Sequence, residues 1–395
     1  MSAPFTNERS DFGRLHLGGE ATVFHCNFYN YWLQKTILLV PGLGMEEVIT
    51  ASSCASAEAC VKALGGSLSV GEKVFAESGF GLMDLSALTP EGGEVVTTVS
   101  HYGQCLGVAA GAPFARPQSL FDAGFAAGAA AAAFGKPFVG EVVECMSMGA
   151  PKGRIRVRPA KDGDLQFSAY GIGPGSSAEA PPLEAALNQD QMDGAVVALN
   201  LVGNEEGLIP RFGVMLTRHF AHFYNRISFE FLRRMKDGGM AAAGEHLLID
   251  AGYRCAFHTI GGIFLSDEWA GMLGPLVSNR EDAVRLMAGL MSTLGCGRYR
   301  IMELDESHIR VRIYDDYESL GYLAMYGPAR RPVNFLATGG IGGLMNLVYL
   351  GDILDRPTLD KAYFEKVIEH PEAFKVETTR SIAMGDEYTE IVAKR

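Results

Sequence analysis

The pattern of apolar and polar positions predicts a chain that mixes helices and strands throughout. In the first part, helical spacing of apolar residues predicts helices over 20–39, 51–64 and an alanine- and glycine-rich stretch at 109–134. Alternating β-branched residues predict a strand over 94–100, and 140–148 with 154–158 predict a closing pair of strands. Residues 71–85 fit either a helix or an irregular approach to the sheet.

The second part follows the same order of predicted elements. The helices predicted there cover 217–236, 241–255, 281–294 and 335–350. The strands predicted there are 298–303 and 308–314, joined by a turn at 305–307, and a closing hairpin within 373–394. Only the segment 351–370 has no counterpart in the first part.

Short motifs that recur in the two parts indicate a tandem duplication. The triplets Phe28-Tyr29-Asn30 and Phe223-Tyr224-Asn225 each follow a Phe-Gly pair, at 12–13 and 212–213. The closing strands share a spacing in which the matched positions are Glu141, Cys145, Gly149 and Gly153 against Glu377, Ser381, Gly385 and Thr389. Internal repeats of this kind indicate that the same fold occurs twice in the chain, so we interpret the sequence as two repeats. In this alignment His25 and Cys26 match Phe220 and Ala221, and His101 matches Asp316.

This duplication predicts an α/β (α+β) protein of two domains. The expected boundaries are 12–160 for the first domain, 161–210 for a linker with short helices, and 211–395 for the second domain. A glycine- and proline-rich break at 171–182 supports the linker, and 1–11 reads as a polar tail. A length of 395 residues agrees with two cores.

Composition and charge indicate which binding partners and which cellular compartment to expect for this protein. The chain is 48% hydrophobic and carries a net charge of −12 with no run of Lys or Arg, so nucleic acid is not an expected partner. No signal peptide or membrane-spanning segment is expected, because the N-terminus is polar and the apolar runs are short. Seven scattered cysteines without a Cys-x2-Cys pair indicate reduced thiols, and we expect a cytoplasmic protein.

The closing strands resemble the 4-vinyl reductase domain family, a group of predicted hydrocarbon-binding proteins. The matching features are a glycine- and alanine-rich helix followed by Glu141, Cys145 and Gly149, with Glu377, Ser381 and Gly385 in the second copy. The resemblance implies two tandem TRAPP-like domains, each a twisted antiparallel sheet packed with helices and often paired through helices. Some family members hold a structural zinc there. Gly153, Ser381 and Thr389 stand where ligands would be needed, so that zinc is not expected here.

A first group of candidate site residues comes from the opening helix and the end of the strand 94–100. Its members carry imidazole, thiol, phenol or amide groups: His25, Cys26, His101, Tyr102, Gln104 and Cys105. If the two segments converge, His25 and His101 are candidate ligands for one transition metal, iron or zinc, and Cys26 is a candidate thiolate. The alternative is that these side chains lie in the core and find backbone partners there.

A second group consists of residues on the two aromatic helices. Tyr29 is a candidate proton donor, as is Tyr102, and the candidate ligand-binding residues here are Asn30, Trp32, His222, Tyr224 and Asn225. The duplicated Tyr-Asn pair equally fits a bracing role in both copies. His219 and His222 have metal-compatible helical spacing, but no Glu completes a zincin motif.

These observations support two functions of different kinds. The first is a cytoplasmic binding protein for a small apolar or aromatic molecule, with a pocket between the opening helix and the sheet. The alternative is a metal-dependent redox enzyme or oxygenase with its site around His25, Cys26 and His101 in the first domain. A pseudo-dimeric scaffold is a third reading, and a homodimer formed through the alanine-rich helices stays open.

Overall fold

The computed structural model describes residues 8–9, 14–111, 113–171 and 178–395. It is a mixed α/β protein with antiparallel sheets and more than one unit in which helices pack on a sheet, as the sequence predicts. The expected polar tail, the Phe12-Gly13 start and the core of the glycine-rich break lie largely outside the described residues. One short helix, α6 (Gln189–Val197), lies in the expected linker.

The first half of the chain runs from a short hairpin to a four-stranded sheet. Its elements, in order, are β1 (Glu8–Arg9), β2 (Leu15–Leu17), β3 (Glu20–Cys26), α1 (Asn27–Ile37), α2 (Met45–Ala63), α3 (Leu68–Glu77), β4 (Gly81–Asp84), β5 (Gly93–Ser100), α4 (Leu106–Ala110), α5 (Leu120–Phe134), β6 (Phe138–Glu144) and β7 (Gly153–Pro159). A π-helical turn, His101–Cys105, joins β5 to α4. The sheet has the order β4-β5-β7-β6.

The second half follows a similar order and contains two additional helices. Its elements are β8 (Ile209–Arg211), β9 (Val214–Phe220), α7 (Ala221–Asp237), α8 (Ala241–Leu265), α9 (Asp267–Met272), α10 (Arg280–Thr293), β10 (Arg298–Leu304), β11 (His308–Tyr314), α11 (Tyr317–Tyr326), α12 (Phe335–Tyr349), α13 (Lys361–Val367), β12 (Lys375–Arg380) and β13 (Thr389–Lys394). Its sheet has the equivalent order β10-β11-β13-β12. The paired strands predicted at 140–158, 298–314 and 373–394 are confirmed.

A third sheet, of order β1-β2-β3-β9-β8, locks the two halves together. Its central pair is β3 with β9, and Phe24 lies opposite Arg218. Phe24 N donates to Leu294 O of the second half, and Arg218 N donates to Ser78 O of the first, both at 2.8 Å. Each opening strand is therefore bonded to the opposite half, and the halves are related by a local twofold arrangement around the Phe24–Arg218 pair.

The glycine-rich helices pack their backbones against the second helix of each half. A Cβ added at Gly124 of α5 would lie 2.1 Å from Thr50 O of α2, and one added at Gly339 of α12 would lie 2.0 Å from Ile249 O of α8. Only glycine permits so close an approach. Most residues of α5 and α12 are buried within the chain, which leaves little of these helices exposed for the dimer contact that the sequence left open.

The predicted opening helices begin too early. Residues 20–26 and 214–220 are strands, and helix begins only at Asn27 and Ala221. His25 and Cys26 thus lie at the end of a strand, and His219 and His222 lie on a strand and a helix instead of one helical turn. All seven residues of β3 are buried, so its sequence lacks the alternation that marks a half-buried strand.

The structure also corrects the alignment of the two copies by one residue. Because Phe24 and Arg218 occupy equivalent places, the counterpart of His25 is His219, not Phe220. Gly153 and Thr389 are equivalent positions of the two closing strands; Thr97 pairs with the first and Ile313 with the second, so Thr97 and Ile313 are equivalent too. Counting four residues on from each, the counterpart of His101 is Tyr317, not Asp316. The Phe-Tyr-Asn triplet therefore starts one residue later in α7 than in α1.

Across the described parts of the chain, the helices are too short or too polar to span a bilayer.

Candidate functional site

A cavity of about 80 Å³ lies in the second half, between the sheet strands β10 and β11 and the helices α8, α10 and α12. The opening strand and helix of the first half close one end, through Phe24, His25 and Tyr29. The sequence prediction placed the pocket between the opening helix and a sheet; that helix contributes only Tyr29, and the sheet belongs to the second half.

The cavity walls are almost entirely apolar. The aliphatic, thioether and aromatic side chains that line it include Phe24, Leu216, Ile260, Ile263, Met291, Leu294, Ile301, Ile309, Val311, Leu336, Ile341 and Leu344. Glycines Gly252 and Gly340 leave wall positions without a side chain, and a Cβ added at Gly340 would meet nothing within 4 Å. Such a surface favours an apolar occupant over water.

Thr259 and Tyr299 also line the cavity, but its polar end, in the sense used below, is the group formed by His25, Tyr29, Tyr317 and Glu318. The Tyr317 hydroxyl is the centre of the group, because it bonds with His25 Nε2 at 3.2 Å and with the Tyr29 hydroxyl at 2.9 Å. The His25 ring also stacks on Tyr29, with ring centroids 3.6 Å apart. These contacts hold the rings in fixed positions, as a binding site for a specific small molecule requires.

Burial keeps this polar end largely uncharged at neutral pH. Loss of hydration lowers the pKa of His25 to about 3, so the imidazole is neutral. Burial, reinforced by the neighbouring Asp316, raises the pKa of Glu318 to about 8, so the carboxyl is mainly protonated at pH 7. The pKa of both Tyr29 and Tyr317 is raised well above the ordinary range by burial, which keeps the phenols protonated.

Glu318 also fixes the helix that forms one wall. Its carboxyl accepts hydrogen bonds from Ala337 N at 2.9 Å and Leu336 N at 3.3 Å, in the first turn of α12. Free N–H groups of that turn need such acceptors. A single residue therefore connects the polar end of the cavity to the wall that carries Gly340 and Ile341.

The Cys26 thiol lies behind the cavity and does not line it. Its Sγ is 2.8 Å from Thr259 Oγ1, which also bonds with Cys255 Sγ at 3.3 Å. Burial raises the pKa of Cys26, and that of Cys255 well above the ordinary value. Both are thiols at neutral pH, and the thiol form is a poor nucleophile.

The candidates His101, Asn30 and Tyr224 form a separate buried network. Asn30 Nδ2 donates to His101 Nε2 at 3.0 Å and to Thr217 Oγ1 at 3.3 Å, and Asn30 Oδ1 accepts from the Tyr224 hydroxyl at 2.6 Å. Burial lowers the pKa of His101 to about 3. The Tyr224 ring contacts the rings of His25 and Tyr29, at 5.2 and 5.0 Å, so the network supports the polar end from behind.

The remaining candidates have other places in the molecule. The Tyr102 hydroxyl bonds with His219 Nε2 at 2.9 Å in the core of the first half. Asn225 Nδ2 donates to Tyr317 O at 2.8 Å and so positions a cavity residue through its backbone. The Trp32 ring contacts the cations of Lys35 and Arg254, at 4.6 and 5.1 Å from the ring centroid.

Three further candidates serve local structure. Gln104 is exposed, and its Oε1 accepts from Ser100 N. The carbonyl of buried Cys105 accepts from Asn27 Nδ2 at 3.3 Å. His222 pairs with Glu20 in a buried contact beneath the Tyr170 ring.

The histidines do not assemble a metal centre with other donors. Within the described residues, no three His, Cys, Asp or Glu side chains are grouped so that they could hold a metal ion. His25 Nε2 bonds with Tyr317, and His101 Nε2 accepts from Asn30. The donor set expected for an iron or zinc site is therefore not brought together around His25 and His101.

Sequence reasoning missed the second-half residues of the site, namely Tyr317, Glu318 and the wall around Gly340. A signal existed for the last: Gly124-x3-Gly128 and Gly339-x3-Gly343 share a spacing that aligns Phe125 with Gly340. No comparable signal marks Tyr317 and Glu318, because they follow β11 at a point where the two copies share no residue type.

Comparisons with known proteins add little to this geometry. No family model matches the chain, and no curated protein matches it. Among solved structures, the chain is similar to the crystal structure of the phenol-responsive sensory domain of the transcription activator PoxR with phenol. The likeness covers 43% of this chain and 73% of that one, with 12% identity and a TM-score of 0.31.

Proposed function

We propose that the protein binds a small, uncharged, largely apolar or aromatic molecule in the cavity of the second half. The observation that carries the proposal is the apolar cavity wall with a polar end made of His25, Tyr29, Tyr317 and Glu318. A few convergent polar groups in an apolar cavity are the usual composition of a small-molecule site.

The charge state of the polar end selects against ions. With His25 neutral and Glu318 mainly protonated, no side chain there compensates the charge of a carboxylate or an ammonium ion. Transfer of an unpaired charge into such a site is strongly unfavourable. A neutral hydroxyl or carbonyl group, in contrast, can exchange hydrogen bonds with phenols, imidazole and carboxylic acid.

The volume sets a second condition. An engineered apolar cavity of about 150 Å³ accepts benzene, so the 80 Å³ present here holds a ring only if a wall side chain moves. Met291 lines the wall, and its unbranched thioether side chain adapts at low cost. We therefore expect ligands no larger than a single substituted ring.

We also propose that the chain is a diverged tandem member of the 4-vinyl reductase domain family. The support is the motif around Cys145 and Ser381 together with the repeated order of a glycine-rich helix and a closing antiparallel hairpin. The proposed binding does not depend on this assignment, since it rests on the cavity.

The test is isothermal titration with two ligands of matched shape, benzyl alcohol and benzoate, at pH 7. We expect saturable binding of benzyl alcohol and at least tenfold weaker binding of benzoate. Gly340→Phe places a ring in the cavity and should abolish binding. The matched control is Gly271→Phe, which adds the same ring at an exposed position of α9 with open space around it.

Absence of binding by benzyl alcohol and other single-ring alcohols to the folded wild type would refute the proposal. Equal binding to Gly340→Phe and the wild type would place the ligand elsewhere. Tighter binding of benzoate than of the alcohol would show that the polar end is not neutral.

A further inference from the structure

The first half contains the same wall positions as the cavity but fills them with aromatic rings. Phe80 lies between Gly79 and Gly81, and Cys296 lies between Gly295 and Gly297. The flanking glycines have matching positive φ angles, +85° and +118° in the first half against +91° and +118° in the second. Phe80 therefore stands where the second half has Cys296, which lines the cavity.

The glycine-rich helices give a second equivalence. Gly124 and Gly339 make the same close approach to the neighbouring helix, and so the next residues, Phe125 and Gly340, are counterparts. Three residues before each glycine stand Phe121 and Leu336. Gly340 and Leu336 both line the cavity of the second half.

The rings of the first half pack against one another. Phe80 lies 4.6 Å from Phe121, and Phe75 lies 5.0 Å from Phe125 and 5.6 Å from Phe80, measured between ring centroids. All four rings are fully buried. Phe75 precedes Gly79 by four residues as Met291 precedes Gly295, so its counterpart also lines the cavity.

The polar end is retained in part on this side. His219, the counterpart of His25, bonds through Nε2 with the Tyr102 hydroxyl, and the His219 ring lies 5.1 Å from Phe80. A histidine held by a phenol therefore borders the filled core of the first half, as His25 and Tyr317 border the cavity of the second.

We propose that the first half carries the same pocket closed by its own side chains, and that Phe80 and Phe125, in place of Cys296 and Gly340, decide which half binds a ligand. Once substitutions open it, the first-half pocket should take the same chemical class as the cavity of the second half, a small neutral ring. This inference rests on the proposed function for the identity of the ligand, but the closed pocket itself is a statement about packing that can be tested separately.

The packing test uses xenon, which enters apolar voids without needing a polar partner. Crystals of Phe125→Ala and Phe125→Gly under xenon pressure should show a xenon atom beside Phe80 and His219 that is missing from the wild type. Phe125→Leu, which keeps the position filled, is the matched control and should show none there. If Phe125→Gly fails to fold, Phe125→Ala and Phe80→Cys still test the claim.

The ligand test uses 4-bromophenol and the anomalous signal of bromine. The wild type should show one bromine peak, in the second half. The double variant Phe80→Cys/Phe125→Ala should show two bromine peaks, one in each half, and Gly340→Phe should show none. The inference would be overturned if the first half of these variants repacks so that no void forms, or if the void takes neither xenon nor 4-bromophenol. Xenon in the first-half void with no bromophenol in the wild type would instead leave the packing claim standing and refute the proposed function.

Discussion

At the scale of single residues, burial suppresses the charge of the side chains at the polar end of the cavity. Glu318 has a pKa of about 8 against an ordinary value of 4.5, because burial and Asp316 disfavour the carboxylate. The native state therefore keeps a proton that the unfolded chain releases. Its contribution to stability is full below about pH 4.5 and is lost as the pH rises to about 8.

Glu318→Gln should remove this loss. The free energy of unfolding of the wild type, relative to the variant, is expected to fall between pH 4.5 and 8, by at most about 1.4 kcal/mol per pH unit for one proton. Urea unfolding at pH 5, 6, 7 and 8 measures it. Glu306→Gln, at an exposed turn, is the control and should show no such trend. A pH-independent difference for Glu318→Gln would contradict the assignment.

The Tyr317 hydroxyl should matter more to stability than the Tyr29 hydroxyl. Tyr317→Phe leaves both His25 Nε2 and the Tyr29 hydroxyl without this partner, whereas Tyr29→Phe leaves the bond between His25 and Tyr317 in place. Unsatisfied buried polar groups cost about 1–3 kcal/mol each, and a lost hydrogen bond costs about 1 kcal/mol. Chemical denaturation compares the two variants, and equal losses would mean that Tyr317 does not bridge the pair.

At the scale of secondary-structure elements, the backbones of α12 and α8 pack closely against each other. Gly339→Ala brings a methyl group against Ile249 O and should destabilise the protein by about 1–3 kcal/mol or more through overpacking. Gly340→Ala is its neighbour on the same helix with open space around the new atom, and should stabilise by up to about 1 kcal/mol. Thermal unfolding measures the change in stability of each variant. If both variants were stabilised or both destabilised, the close contact between α12 and α8 would not control stability at Gly339.

The elements also show how far sequence reasoning reaches. Strands with one covered face, such as β5 and β11, alternate and are predictable, as is α10 from its amphipathic spacing. β3 and β9 were predicted as helix, because a strand buried on both faces has no period of two and its apolar residues also fit a helical pattern. This error placed His25 and His219 on helices instead of strands. It also shifted the alignment of the two repeats by one residue.

The site itself could be predicted only in part. His25 and Tyr29 are close in sequence, both are candidate catalytic residues in the sequence analysis, and both line the cavity. Tyr317 and Glu318 are almost 300 residues away from His25 along the chain. The pairing of β3 with β9 brings the two halves together, and no sequence pattern in β3 or β9 predicts that pairing. The cavity depends on Gly340, whose significance is visible only beside Phe125 in the correct register.

At the scale of the whole molecule, the interlocked opening strands predict that the two halves unfold together. Trp32 and Trp269 are the two tryptophans, one in each half. Trp32→Phe and Trp269→Phe each leave a single reporter, and within each variant the tryptophan fluorescence and the far-ultraviolet circular dichroism should give the same urea midpoint. Two separated transitions within one variant would show that the β3–β9 pair does not couple the halves.

A crystal structure with 4-bromophenol would show whether the cavity of the second half holds a small neutral ring. We expect one strong bromine anomalous peak between β11, α8 and α12, with the phenol oxygen within hydrogen-bond distance of His25, Tyr29, Tyr317 or Glu318. An empty cavity at saturating ligand, or bromine only on the surface, would contradict it.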